Sequence, residues 1–173
     1  MTRTASEEPR VPDLVRELGE ILQAMGWKMA VAESCTGGGL GAAITDRAGS
    51  SAYFLGGVVA YDNRLKHSLL GVSEDDLGRH GAVSLEVAER MASECRRRLG
   101  ADLAVSITGI AGPGGATLGK PVGLVFIGVA TATTTRAQEL HFLGDRADVR
   151  RQAVTAALRI AVEAAHHERG ATP

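Results

Sequence analysis

Three apolar stretches of this chain each end in a short run of small, polar or reactive residues. These are AESCTGG at residues 32–38, VVAYDNRLK at residues 58–66 and TGIAGPGG at residues 108–115. A strand that leaves the interior into a glycine-permitted turn is how α/β sheets build their ligand sites. Three such exits in one chain of 173 residues point to strands separated by helices, with chemistry gathered at one edge of the sheet.

Periodicity fills in the rest. From Asp13 the apolar positions Leu14, Val15, Leu18, Ile21, Leu22 and Met25 recur at helical spacing, and Gly26 ends the helix. Residues 27–32 read as a strand. Residues 36–46 read as a glycine-rich helix with Leu40 and Ile44 on one face, although Gly37, Gly38 and Gly39 each weaken a helix interior by roughly 1 kcal/mol. A second strand covers residues 56–61, followed by a short helix over 63–70 that Asp62 or Asn63 caps and Gly71 stops. The pattern assigns no element to residues 72–83. Ser84 caps a clear helix over 84–99, ended by Gly100. Residues 103–108 form a strand, and 122–130 and 137–143 two more, their threonine-rich connection reading as a hairpin. A long closing helix spans 145–167. The expected fold is a single-domain, three-layer α/β/α sandwich with a mixed sheet over residues 12–168, after a flexible lead-in over 1–11.

The formal net charge of -1 offers no global attraction to nucleic acid or to a membrane surface. No apolar stretch reaches the roughly 20 residues that span a bilayer, and the polar N-terminus lacks a signal-peptide pattern, so a cytoplasmic protein is expected. Cys35 and Cys95 form no metal-binding pair, and the five histidines show no HExxH-like spacing. No metal is expected. Lysine is scarce: Lys28, Lys66 and Lys120 stand against sixteen arginines, and two of the three fall in or beside the informative segments.

The first run places Ser34 between a strand and a helix, where a hydroxyl can serve as a nucleophile once a neighbour takes its proton. Lys66 and His67 are the adjacent bases. Tyr61 and Lys66 can reach the same sheet edge as Ser34, and Tyr61 could relay a proton or hold the lysine. Lysine acts as a base only if desolvation or a nearby positive dipole lowers its pKa from about 10.4. The N–H groups of Thr36, Gly37 and Gly38 could then stabilise a tetrahedral oxyanion. The loop at 108–115, with Gly109, Gly112, Gly114 and Gly115, resembles an anion-binding nest, and Arg146 could add a bidentate contact. Each residue alone has a plainer reading: Ser34 as a helix cap, Lys66 as a solvated side chain, Tyr61 as packing, Arg146 as a surface charge. Their joint placement beside glycine-rich loops favours a Ser/Lys hydrolase.

Other readings stay open. Cys35 could be the nucleophile, with His67 or His80 as base. Gly37, Gly39 and Ala42 fit GxGxxA with Asp62 twenty residues on, a weak dinucleotide signal that leaves Ser34 and Lys66 without roles. Gly114, Gly119 and Lys120 fit GxxxxGK, yet Pro121 stands where Ser or Thr would hold magnesium, and a strand follows where a P-loop needs a helix.

The order and spacing of AESCTGG, GSSAYFLGGVVAYDNRLKHSLLGV, GAVS, TGIAGPGG and KPVGLV resemble the C-terminal domain of the CinA (competence/damage-inducible protein) family, known in stand-alone form as nicotinamide-nucleotide amidohydrolase (PncC, NMN deamidase). A weaker F-x-G-D-R echo stands at 142–146. Larger family members carry a further N-terminal domain, for which this length leaves no room. The resemblance implies hydrolysis of the carboxamide of nicotinamide mononucleotide to nicotinate mononucleotide and ammonia, with no metal or other cofactor. It implies Ser34 as nucleophile, Lys66 as base and Tyr61 as a supporting hydroxyl. Contacts to the pyridine mononucleotide fall around Ser50, Asn63, Thr108, Gly109, Ile110, Ala111, Gly112 and Arg146. A homo-oligomer, dimeric by preference, is also implied, with no nucleic-acid or membrane partner. Glu94 and Ala116 depart from the family pattern away from this chemistry. The rival is a catalytically silent nucleotide-binding module with the same pocket, which an ammonia assay beside a binding titration would separate.

Overall fold

The computed structural model describes residues 9–171, which form six α-helices and five strands. They are α1 (Val11–Met25), β1 (Met29–Glu33), α2 (Gly39–Thr45), β2 (Phe54–Val59), α3 (Asn63–Leu70), α4 (Glu74–His80), α5 (Leu85–Leu99), β3 (Leu103–Gly109), β4 (Leu124–Ala130), β5 (Thr135–His141) and α6 (Arg146–Ala171). The sheet order is β2-β1-β3-β4-β5. β1 runs parallel to β2 and β3, whereas β4 is antiparallel to both of its neighbours. The expected mixed α/β architecture and the β4–β5 hairpin are both present. Residues 1–8 of the expected lead-in lie outside the described residues, and α1 begins at Val11, inside that segment.

Along β1 and β3, side-chain size divides the two faces of the sheet. Met29 and Val31 of β1, Leu103, Val105 and Ile107 of β3, and Val125, Ile127 and Val129 of β4 all point into one large cluster with α1, α2 and α6. Their alternates Ala30, Ala32 and Ala104 meet Val87, Met91 and Cys95 of α5. Period-2 alternation sorts large from small in these two strands; β4 sends Leu124 and Phe126 against Ala88 of α5 at one end but lets α5 lie close at Gly128. There Ser106 Oγ donates to the Ala88 carbonyl at 2.6 Å. Strand β1 is buried along its whole length, as a central strand covered on both faces should be.

Two elements depart from the sequence pattern. α4 forms over residues that showed no period; Ser73 Oγ accepts from Asp76 N at 2.9 Å, three acids occupy its first turn, and it buries none of its residues. Capping holds it rather than an apolar stripe. α2 starts at Gly39 rather than at residue 36, because Gly37 and Gly38 take left-handed φ values of 61° and 99° that a right-handed helix cannot use. Among the described residues, no helix is long and apolar enough to cross a membrane.

The close seat of α5 yields a stability prediction. A Cβ at Gly128 would run into the Ala88 carbonyl oxygen and lie 2.5 Å from Ser106 Oγ. Gly128→Ala should destabilise the fold by about 1–3 kcal/mol through overpacking, read as a lower urea midpoint at unchanged m-value.

Candidate functional site

The carboxyl ends of the three parallel strands share one edge of the sheet. After β1 the chain turns toward the face carrying α2; after β2 it turns to the opposite face, into α3. These diverging exits leave a cleft of about 250 Å³ lined by Ser34, Cys35, Tyr61, Asn63, Lys66, Ala82, Val83, Thr108, Gly109, Ile110, Ala111, Gly112, Gly114, Gly115 and Arg146. Strand-end crevices are where open α/β sheets take their ligands.

Ser34 is the first residue past β1, and its N–H donates to the Ile107 carbonyl at 2.9 Å, which fixes it against β3. Lys66 lies one turn into α3, whose cap Asp62 accepts from Arg64 N at 2.8 Å. Its side chain folds back under the strand–helix loop and is only 1% exposed. Nζ lies 3.0 Å from Ser34 Oγ, 2.9 Å from the Ala60 carbonyl and 3.3 Å from the Tyr61 carbonyl. Three acceptors satisfy an ammonium's three donors. A neutral amine is equally well placed, giving two N–H groups to the carbonyls and its lone pair to the Ser34 hydroxyl. Burial lowers the Lys66 pKa from its ordinary value, opposed by the proximity of Cys35 and Asp62. Desolvation favours the uncharged form.

Tyr61 reaches the site differently from the expectation. Its carbonyl holds Lys66, while the residue as a whole is 58% exposed and its phenol accepts from Arg146 Nη2 at 2.9 Å. Arg146 Nη1 also donates to the Gly112 carbonyl at 2.7 Å. The arginine thus bridges the β2 exit and the β3 loop across the mouth of the cleft.

The donors expected for an oxyanion are largely committed elsewhere. Gly37 N–H donates to the Ser34 carbonyl at 3.0 Å, and Gly38 N–H to Glu33 at 3.1 Å. The Thr36 hydroxyl donates to Glu33 Oε2 at 2.6 Å. Of the three residues named for this role, only Thr36 keeps an N–H without an acceptor among the described residues; Cys35 N–H has none outside its own residue. Thr36, Gly37 and Gly38 do not line the cleft. Nor does Ser34 cap α2. Glu33 does so instead, accepting from Leu40 N at 3.0 Å and Gly41 N at 2.8 Å, because its longer side chain spans the turn.

The β3 loop brings together the other named residues. Thr108 is buried and its hydroxyl donates to the Ala82 carbonyl at 2.7 Å, holding the 82–83 wall. Lys120 holds the same wall, with Nζ donating to the His80 and Val83 carbonyls at 2.6 and 2.7 Å. Gly109 has no room for a side chain, since a Cβ would lie 2.7 Å from Val125 Cγ2. Ile110 N–H is taken by Leu124, whereas the amides of Ala111 and Gly112 have no acceptor among the described residues. Asn63 lies at the rim. Ser50 is not brought to the site: it precedes β2, and because β1 and β2 start at the same edge, it sits at the other end of the sheet.

Sequence reasoning missed Glu33 and Arg150. Glu33 is 1% exposed, and Arg150 Nη2 donates to the Thr36 carbonyl at 2.9 Å. An acid directly before a turn with several orphan amides was the available signal for Glu33; Arg150, one helical turn beyond Arg146, left no mark of its own. Among the described residues no cluster of His, Cys, Asp and Glu could hold a metal.

Cys35 touches the cleft, but burial raises its thiol pKa to about 11, so it resists forming the reactive thiolate. His67 is turned to the Val72 carbonyl at 2.8 Å, and His80 pairs with Glu86; neither makes a hydrogen bond to Cys35. At pH 8 about one Cys35 side chain in a thousand would be ionised. Iodoacetamide should therefore label native protein far more slowly than urea-unfolded protein, as followed by mass spectrometry. Cys95, fully buried and raised to about 12, should behave likewise.

Comparison with known proteins bears on this geometry. Residues 12–165 match the family described as the CinA C-terminal domain. A CinA-like protein of Gloeothece citriformis is 53% identical over 125 residues, 72% of this chain and 29% of that protein. One of Thermosynechococcus vestitus is 55% identical over 130 residues, 75% of this chain and 31% of that protein. The chain thus spans about 30% of the length of these curated relatives. Among solved structures, the competence damage-inducible protein A (ComA) of Klebsiella pneumoniae superposes with a TM-score of 0.87 at 35% identity, covering 90% of this chain and 96% of that one. The competence/damage inducible protein CihA of Agrobacterium tumefaciens gives 0.86 at 37% identity, covering 92% and 99%.

Proposed function

The chain belongs to the CinA C-terminal domain family, and we propose that it is an amidohydrolase which deamidates nicotinamide mononucleotide to nicotinate mononucleotide and ammonia. One observation carries the reading: a lysine amine almost fully withdrawn from water lies 3.0 Å from the hydroxyl of a serine at the end of a sheet strand. A buried amine that can shed its proton, in contact with a hydroxyl that opens on a cleft, is the arrangement that Ser/Lys acyl transfer requires.

Neutral Lys66 takes the Ser34 proton as Oγ attacks the carboxamide carbon. The oxyanion of the tetrahedral adduct accepts from the Cys35 amide, the uncommitted N–H of the turn whose residue borders the cleft. Lys66, now an ammonium held by the Ala60 and Tyr61 carbonyls, returns the proton to the departing nitrogen, and ammonia leaves. Water, deprotonated by the same amine, then attacks the acyl-serine; the C–Oγ bond breaks, Lys66 returns the proton to Ser34 Oγ, and the acid leaves. The anionic phosphate of the mononucleotide would meet the free amides of Ala111 and Gly112 together with Arg146. Tyr61 contributes by holding Arg146 rather than by relaying a proton.

Ser34→Ala should abolish ammonia release from nicotinamide mononucleotide. Lys66→Ala should lower kcat by about 10²–10⁴-fold, the usual worth of general-base help. Turnover should rise with pH as Lys66 loses its proton, with the midpoint below the ordinary lysine range because burial depresses that pKa. Lys66→Arg keeps the charge but cannot give up a proton, so it should be inactive at every pH. Ammonia measured for the mononucleotide, the riboside and free nicotinamide should favour the phosphorylated form. Saturable mononucleotide binding without any ammonia would instead identify a silent binding module.

A further inference from the structure

We propose that Glu33 is a positioning residue for the acyl-transfer step, holding the turn after Ser34 so that the Cys35 amide, at the border of the cleft, stays available to an oxyanion. The inference rests on the hydrolase reading above. It comes from following every main-chain N–H from residue 34 to residue 41. Ser34 N–H goes to Ile107, Gly37 to Ser34 and Gly39 to Thr36. Gly38, Leu40 and Gly41 go to the Glu33 carboxylate. Six of the eight amides are therefore committed, three of them to a single side chain.

That side chain is an acid 1% exposed, with no lysine, arginine or histidine in ion-pair contact among the described residues. Isolating a carboxylate from water is costly unless its oxygens are fully hydrogen-bonded. Here Oε2 accepts from the Thr36 hydroxyl, Gly38 N and Leu40 N, and Oε1 from Gly41 N. Thr36 is held from a second side as well, because its carbonyl accepts from Arg150 Nη2 at 2.9 Å and from Gly39 N at 3.1 Å. With the Thr36 hydroxyl and carbonyl both fixed, and the Ser34 carbonyl accepting from Gly37 N at 3.0 Å, the peptide that carries the Cys35 N–H has little freedom to turn. Donors fixed in advance stabilise developing charge without reorganising when it appears. Glutamine would fill the same space but would set an N–H₂ against at least one of the four donors, loosening the turn without emptying it.

The test compares Glu33→Gln and Thr36→Val with wild type, each checked for folding by circular dichroism melts. Three quantities are measured: kcat and KM for ammonia release, the affinity for nicotinate mononucleotide, and inhibition by 3-pyridineboronic acid. The boron of this probe takes a serine oxygen and presents a tetrahedral, anionic adduct. Glu33→Gln should lower kcat by about 10- to 100-fold with KM and product affinity unchanged, and weaken boronate inhibition by a similar factor. Thr36→Val should act in the same direction. Wild-type kcat in both variants overturns the proposal, as does a loss in which product affinity falls in step with kcat, the mark of a merely structural role. Should Glu33→Gln fail to fold, Thr36→Val decides alone. Turnover that survives Ser34→Ala sinks the hydrolase reading itself; an inactive Ser34→Ala beside fully active Glu33→Gln and Thr36→Val sinks only the clamp.

Discussion

Removing the Lys66 amine from water sets terms that the rest of the site has to meet. An ammonium stripped of solvent is destabilised by several kcal/mol unless other groups replace its shell. Here the replacements are two main-chain carbonyls and one hydroxyl. Carbonyls cannot be supplied by side-chain choice. They require the chain between β2 and α3 to bend so that the oxygens of Ala60 and Tyr61 both face inward. Ala60 N–H donating to the Glu33 carbonyl at 2.8 Å fixes one side of that bend, and the Asp62 cap fixes the other. Burial lowers the lysine's pKa, while backbone geometry supplies the acceptors that replace its water, which fits its place in a first helical turn, close to the strand it follows.

The same bend needs the neighbouring strands to stay in register, and packing sees to that. In β1 and β3, large side chains on the α1–α2–α6 face and small ones on the α5 face give the middle of the sheet one thick and one thin side. A one-residue slip in any strand would exchange the two sets and break both. Because β1 is central and buried on both faces, the residue that leaves it, Ser34, inherits its rigidity. β2 is an edge strand with alternate residues exposed, so it contributes carbonyls and a loop rather than the nucleophile.

How much of this was legible varied with the kind of signal. The strands that end in AESC, VVAYD and SITG were readable because alternation and apolar runs mark them, and the β4–β5 hairpin followed from its short connection. Strand limits moved by about two residues, as at β5, which spans Thr135–His141 rather than 137–143, since an exposed edge strand carries little hydrophobic pattern. α4 was invisible because it buries nothing. Ser34 beside Lys66 was anticipated from the common sheet edge. That Tyr61 could hold the lysine was anticipated, but not that its carbonyl does so, since a sequence lists side chains and not main-chain contacts. Ser50 was drawn in by resemblance alone, and strand direction sends it to the far end of the sheet.

The two glycine-rich runs look alike in sequence but answer opposite needs. In the first, left-handed Gly37 and Gly38 curl the chain until its amides converge, and the protein fills that convergence with its own carboxylate, Glu33. An anion of the substrate would have to compete there with a buried, fully bonded acid. In the second, Gly109 is excluded from bearing a side chain by Val125, and Gly112, at φ 80°, by Val122, so the loop lies close to β4 while the Ala111 and Gly112 amides are left without an internal acceptor. The nearby positive charge, Arg146, stands beside this second loop and is bonded to its Gly112 carbonyl. On the proposed reading, a ligand with an amide at one end and an anion at the other would set its carbonyl carbon at Ser34 and its anion at the β3 loop, where the open amides have a positive charge beside them.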